Sequence, residues 1–163
     1  MKMKKKLATL CLSVLTAWAA DTVFAETYNT FTNDMEKELN LTDQWDKVFP
    51  KSPKVTHAKI TFHNRYGITL AADLYIPLNA EGKLPAVAVS GPFGAVKEQS
   101  SGLYAQTLAE NGFLTIAFDP SFTGESGGEP RYVASPDINT EDFCAAVDYL
   151  TSRDDVDKER IGI

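Results

Sequence analysis

The sequence is short of the residues that most often mark a function at first sight. Only two cysteines and two histidines occur in 163 residues. Cys11 and Cys144 are too few for a disulfide scaffold. With His57 and His63 they form no Cys-x-x-Cys or His-x-His spacing, so no metal site is expected. Basic residues are the minority, 16 against 22 acidic, for a net charge of −6. A nucleic-acid surface needs clustered Lys and Arg, and the body of the chain has no such patch. The one long apolar run, Leu7 to Ala20, falls short of the roughly 20 residues a bilayer demands. Repeats, low-complexity tracts and domain linkers are also missing. With 44% hydrophobic and 23% charged residues, what remains is the composition of one ordinary globular domain.

The N-terminus does not belong to that domain. Lys2, Lys4, Lys5 and Lys6 precede the apolar run, and Val23-Phe24-Ala25 offers signal peptidase the small residues it reads. Residues 1–25 are therefore predicted to be a signal peptide cleaved after Ala25, with Ala19 and Ala20 as alternative sites. The chain is expected to be exported, periplasmic or secreted, with no stable membrane anchor after cleavage. Bulky Leu10 before Cys11 argues against a lipoprotein signal. Losing Lys2, Lys4, Lys5, Lys6 and Asp21 moves the net charge from −6 to −9 and leaves Cys144 as the single thiol. Phe143, Ala145, Ala146 and Val147 flank it in a helical pattern, which predicts a buried small hydrophobe.

Residues 26–53 read as a helical lead-in. Asn33 and Glu36 have capping-box spacing, Met35, Leu39 and Trp45 give an apolar stripe to Trp45, and Pro50 and Pro53 end it. Residues 54–163 then alternate. Val55–His63 and Ile68–Ile76 read as strands around the turn Asn64-Arg65-Tyr66-Gly67, an antiparallel hairpin. Leu84–Ser90 is an apolar strand, Ser101–Asn111 a helix stopped by Gly112, and Phe113–Phe118 a second buried strand. A loop rich in Gly, Ser and Pro runs from Asp119 to Asp137, and Asn139 or Thr140 caps a helix to Leu150 with Phe143, Ala146, Val147 and Leu150 inward. Arg160-Ile161-Gly162-Ile163 begins a further strand. Strand and helix alternating on short links predict a parallel sheet with right-handed crossovers, preceded by the hairpin.

Gly91-Pro92-Phe93-Gly94 sits where such a sheet carries its chemistry. One reading is a dinucleotide-phosphate turn with Asp119 on a ribose hydroxyl; it lacks a third fingerprint glycine, and Pro92 removes a backbone donor. The other is a turn that supplies a main-chain N–H to an oxyanion hole. The turn Asn64 to Gly67 with Leu70, Leu74, Tyr75 and Pro77, then Ser90 to Gly94, then Phe118-Asp119 with Thr123-Gly124-Glu125-Ser126-Gly127-Gly128, come in a telling order. Over residues 50 to 163 the chain resembles the N-terminal half of an α/β-hydrolase of the dienelactone hydrolase or Xaa-Pro dipeptidyl-peptidase-like group. The resemblance implies an α/β sheet in which the antiparallel hairpin leads into parallel strands with helices on both faces, cut at the start of the fifth strand. It implies hydrolysis of an ester, lactone or peptide bond in a small-molecule substrate by acyl-enzyme chemistry, without a cofactor. Carried over by position, the Phe93 N–H becomes the oxyanion donor and Glu98 a weak candidate for influencing the nucleophile. Gly91, Gly94, Asp119 and Gly124 become loop-structural.

Gly124-x-Ser126-x-Gly128 matches the nucleophile-elbow pattern, but polar loop flanks it where a strand and a helix are required. Nucleophile, acid and histidine follow the fourth strand in these enzymes, while His57 and His63 lie upstream in the first. The resemblance thus predicts a chain without its own catalytic triad, an inactive fragment. The alternative is a secreted binding or structural domain on the same scaffold. An abbreviated fifth strand would also leave the third strand's edge open to self-association.

Overall fold

The computed structural model describes residues 39, 41–42 and 44–163. The predicted signal peptide and most of the expected Asn33–Trp45 helix lie outside the described residues, and residues 44–53 form no helix. The elements are β1 (Val55–His63), β2 (Thr69–Pro77), β3 (Leu84–Val89), α1 (Ser100–Glu110), β4 (Leu114–Phe118), α2 (Pro136–Ser152) and β5 (Val156–Gly162). They build one sheet in the order β1-β2-β4-β3-β5. β1 and β2 pair antiparallel from Val55↔Pro77 to His63↔Thr69, and β2 is antiparallel to β4. β3 lies parallel to both β4 and β5. An antiparallel hairpin joined to parallel strands is the expected α/β-hydrolase arrangement and leaves no dinucleotide-binding βαβ start. Among the described residues no helix is long and apolar enough to cross a membrane.

The hairpin turn is fixed by one side chain. Asn64 is buried, its Oδ1 accepts from the N–H of Tyr66 and of Ile68, both at 3.0 Å, and Gly67 takes a φ of 76° that favours glycine. Its Nδ2 donates to Asp142 Oδ1 on α2 at 2.8 Å, so the turn is also tied to the helix across the sheet end.

Alternation along the strands sorts the core into two layers. Leu70, Ala72, Leu74, Ala86, Ala88, Leu114, Ile116 and Phe118 pack with Ala145, Ala146 and Leu150 of α2. Tyr75 and Ala117 point the other way, to Ala105 and Ala109 of α1, with Trp45 and Val89 against them.

Three expectations need correction. α2 starts at Pro136, with Ser135 as N-cap accepting from the Ile138 N–H, rather than at Asn139 or Thr140. Ser-Pro-Asp is the stronger start, because proline suits the first helical position and Asp137 faces the helix dipole. Cys144 is exposed, not buried: the inward stripe of α2 is Glu141, Asp142, Ala145, Ala146 and Leu150. β5 begins at Val156, four residues before Arg160, because Asp157, Lys158, Glu159 and Arg160 hide a strand with no apolar alternation. It lies along β3 with Leu84↔Val156, Ala86↔Ile161 and Val87↔Gly162, so β3 is paired on both sides and the outer strands among the described residues are β1 and β5.

Candidate active site

β3 delivers Ser90 to Gly94 at its C-terminal end, where parallel sheets of this kind place their chemistry. The Ala95 N–H donates to the Pro92 carbonyl at 2.9 Å, closing a β-turn around Phe93 and Gly94. Gly94 has φ 84°, the value the third position of a type II turn requires. Gly91 is needed for space instead, since a Cβ there would lie 2.9 Å from Ala95 Cβ. Among the described residues the Phe93 N–H donates to no backbone carbonyl. Phe93 is 68% exposed.

The opposite wall is the β4–α2 loop. Fully buried Asp119 organises it: Oδ1 accepts from the Lys97 N–H at 2.8 Å, and Oδ2 from the Glu125 N–H at 2.9 Å and from Lys97 Nζ at 3.0 Å. Asp119 therefore clamps the β3–α1 segment to its own loop and is in no position to hold a ribose. Gly124 passes directly over the carboxylate, where a Cβ would sit 2.2 Å from Oδ2. Ser126 is buried as well; its Oγ donates to the Asp119 carbonyl at 2.6 Å and accepts from the Ala71 N–H at 2.9 Å. It is a strut between loop and sheet. Between the two loops lies a groove of about 310 Å³ lined by Phe93, Gly94, Val96, Thr123, Gly124 and Tyr132.

Beneath the β3–α1 segment the charges join. Lys97 Nζ, with no side-chain exposure, also contacts Glu125 Oε2 at 2.6 Å and Glu98. Lys59 of β1 bridges Glu125 and Asp46, both at 2.7 Å. Lys47 bridges Asp46 at 2.6 Å to buried Asp73 at 2.8 Å, and Asp73 Oδ1 also contacts His57 Nε2 at 2.8 Å. A continuous ionic chain thus runs from the end of β4 to β1. Burial alone would depress the Lys97 ammonium, but Asp119, Glu125 and Glu98 outweigh it and hold Lys97 protonated well above the ordinary lysine range. Burial pushes Glu98 up, against the bond from Lys97. Burial would raise Asp46 as well, yet the hydrogen bonds and charges of Lys47 and Lys59 bring it down to about 2. Carboxylate oxygens of Asp46, Glu98 and Glu125 come within 4.8 Å of one another, but the Lys59 and Lys97 ammoniums already pair with them.

Phe93, Gly94 and Gly124 thus meet at one groove, while Asp119 braces it from below. Glu98, the weak candidate for influencing the nucleophile, is an ion-paired member of the network at 16% side-chain exposure. Sequence reasoning missed Lys97, Glu125 and Tyr132. Lys97 carries a signal only in hindsight, as a cation directly after the glycine turn with an aspartate closing the next strand. His57 and His63 stay on β1; His63 Nδ1 meets Thr69 Oγ1 at 3.1 Å.

Sheet order, hairpin and glycine turn together define an α/β-hydrolase. The chain belongs to the X-Pro dipeptidyl-peptidase (S15) family, whose model matches residues 66–163. It is 60% identical over 157 residues to protein PA2218 of Pseudomonas aeruginosa, covering 96% of this chain and 42% of that one. The crystal structure of PA2218 superposes with a TM-score of 0.75 over 78% of this chain and 40% of the other, at 69% identity. Thiohydrolase aneE of Aspergillus aculeatus is 33% identical over 108 residues, 66% of this chain and 33% of the relative. The α/β hydrolase GrgF of a Penicillium species superposes with a TM-score of 0.60 at 25% identity, over 66% and 37% of the two chains. The chain therefore spans less than half the length of these relatives.

Proposed function

We propose that this chain is the N-terminal part of an exported hydrolase that cleaves an ester, thioester, lactone or peptide bond through an acyl-enzyme, and that it supplies one oxyanion donor, the Phe93 N–H. The observation that carries this is the free N–H in a glycine-supported turn at the C-terminal end of β3, opening on a groove. A nucleophile contributed by the longer protein attacks the carbonyl carbon. The carbonyl π pair moves onto oxygen, which the Phe93 N–H and a second amide stabilise. Collapse re-forms the carbonyl and expels the alcohol, thiol or amine, which takes up a proton. Water then releases the acid and restores the nucleophile.

Its two histidines lie on β1, on the hairpin side of the sheet, so the 163 residues taken alone turn over no ester. The test is hydrolysis of short p-nitrophenyl esters by the purified chain and by the protein extended to its relatives' length. Background rates for the first and turnover for the second are expected; turnover by the chain alone refutes its inactivity. Export is supported by residues 1–25 alone, and N-terminal sequencing of the exported product should begin at Glu26.

A further inference from the structure

The groove lining carries more chemical information than an acyl-enzyme mechanism uses. Two of its six residues are large aromatics left in solvent, Phe93 at 68% and Tyr132 at 79% exposure, one on each loop. Tyr132 is also held in a conformation that side chains resist, φ 61°, fixed by its N–H donating to the Phe122 carbonyl at 2.9 Å. Phe122 shares the strain at φ 70°, but its ring is buried. Burial offsets the strain for Phe122 and does not for Tyr132. A strained backbone that presents an aromatic ring to solvent beside a groove is the pattern of a ligand contact. The remaining lining is Gly94, Val96, Thr123 and Gly124, so no group there is charged at neutral pH. An ammonium or carboxylate on a ligand would find no counter-charge among these six residues.

We propose that Phe93 and Tyr132 form an aryl-binding subsite, and that the substrates are neutral esters or thioesters whose acyl part carries an aromatic ring a few bonds from the carbonyl. This rests on the reading of the Phe93 N–H as oxyanion donor, because that N–H fixes where the carbonyl lies. The ring then sits along the groove against the two side chains, by offset stacking or edge-to-face contact. A volume of about 310 Å³ holds a ligand of this size but not an extended peptide.

The probe is 4-phenyl-2-butanone, which has the carbonyl and the ring but no cleavable bond, compared with 4-cyclohexyl-2-butanone of the same shape class. Each is titrated into the ¹⁵N-labelled 163-residue chain and followed by amide chemical shifts. An eleven-atom ligand should bind at roughly millimolar Kd. The aryl ketone should bind about 2- to 10-fold more tightly than the cyclohexyl one, with shifts at Phe93, Gly94, Thr123 and Gly124. Tyr132→Phe should keep that preference and Tyr132→Ala abolish it. Tyr132→Gly should lose it too, while the thermal midpoint stays level or rises, since glycine accepts φ 61° freely. Equal affinity for the two ketones overturns the subsite. So does an unchanged preference in Tyr132→Ala, or a lowered midpoint in Tyr132→Gly, which would make Tyr132 a structural residue. Aryl-selective shifts at Thr123 and Gly124 that leave the Phe93 amide unmoved would uphold the aromatic subsite and refute the oxyanion role.

Discussion

Asp119 is where the two walls of the groove are joined, and its removal gives the sharpest test of the description. In Asp119→Ala the Lys97 and Glu125 N–H groups lose their acceptor at 2.8 and 2.9 Å, and the Lys97 ammonium loses a partner at 3.0 Å. One buried amide and one half-buried amide left unpaired cost up to about 1–3 kcal/mol each, and breaking one side of a buried ion pair about 3–5 kcal/mol. These overlap, because Glu98 and Glu125 still face Lys97, so a net loss of about 3–5 kcal/mol is expected. That is a large part of a stability of about 5–15 kcal/mol, so the alanine variant risks unfolding. Asp119→Asn keeps the shape and one acceptor but turns its NH2 toward donors, and about 2–4 kcal/mol is expected to go. Urea unfolding reads this directly: at an m of about 1.5 kcal/mol per molar, the midpoint of Asp119→Asn should fall by about 1–3 M at constant m. Adding Lys97→Met should return part of the loss, because the buried cation leaves with its anion. A midpoint shift below about 0.5 M, or strict additivity in the double mutant, would refute the role assigned to this pair.

Gly124→Ala should cost about 2–4 kcal/mol, from the clash with Asp119 and a φ of 54°, whereas Gly94→Ala, at φ 84° with nothing within 4 Å, should cost only about 1 kcal/mol of strain; urea midpoints separate the two. Acid should weaken the fold through Asp46. Its carboxyl is held below its ordinary 3.8, so the stability it contributes is whole above about pH 4 and lost as pH falls toward 2. Glu98, pushed up by burial, works the other way and gains on protonation, so Asp46→Asn should flatten the acid limb of a stability–pH curve while Glu98→Gln steepens it. The free edge of β5 should pair with a second copy, seen as concentration-dependent sedimentation; a monomer at every concentration would refute that.

Local rules made much of the scaffold readable. Period-two alternation around Asn64 to Gly67 located the hairpin, whose first strand is Val55–His63 as expected, and Gly112 marked the end of α1. β5 escaped the same rules because Asp157 to Arg160 interrupt any apolar alternation between Val156 and Ile161. Cys144 was misplaced because α2 buries Glu141 and Asp142 against the hairpin turn, rotating its inward stripe away from the purely apolar one. Charge told least of all: Lys97, Lys59 and Asp46 look like independent solvated residues in the sequence, and only their partners reveal a chain of ion pairs anchored on buried Lys97.

The sequence by itself determined the order of strands and helices and the glycine turn after β3, since these depend on periodicity, turn chemistry and residue type. Only the tertiary structure decided that Lys97 reaches Asp119 across 22 positions, that Phe93 and Tyr132 share a groove, and that Tyr132 is strained. Those facts arise when two loops from neighbouring parallel strands converge at one sheet end, and chain spacing does not encode that meeting.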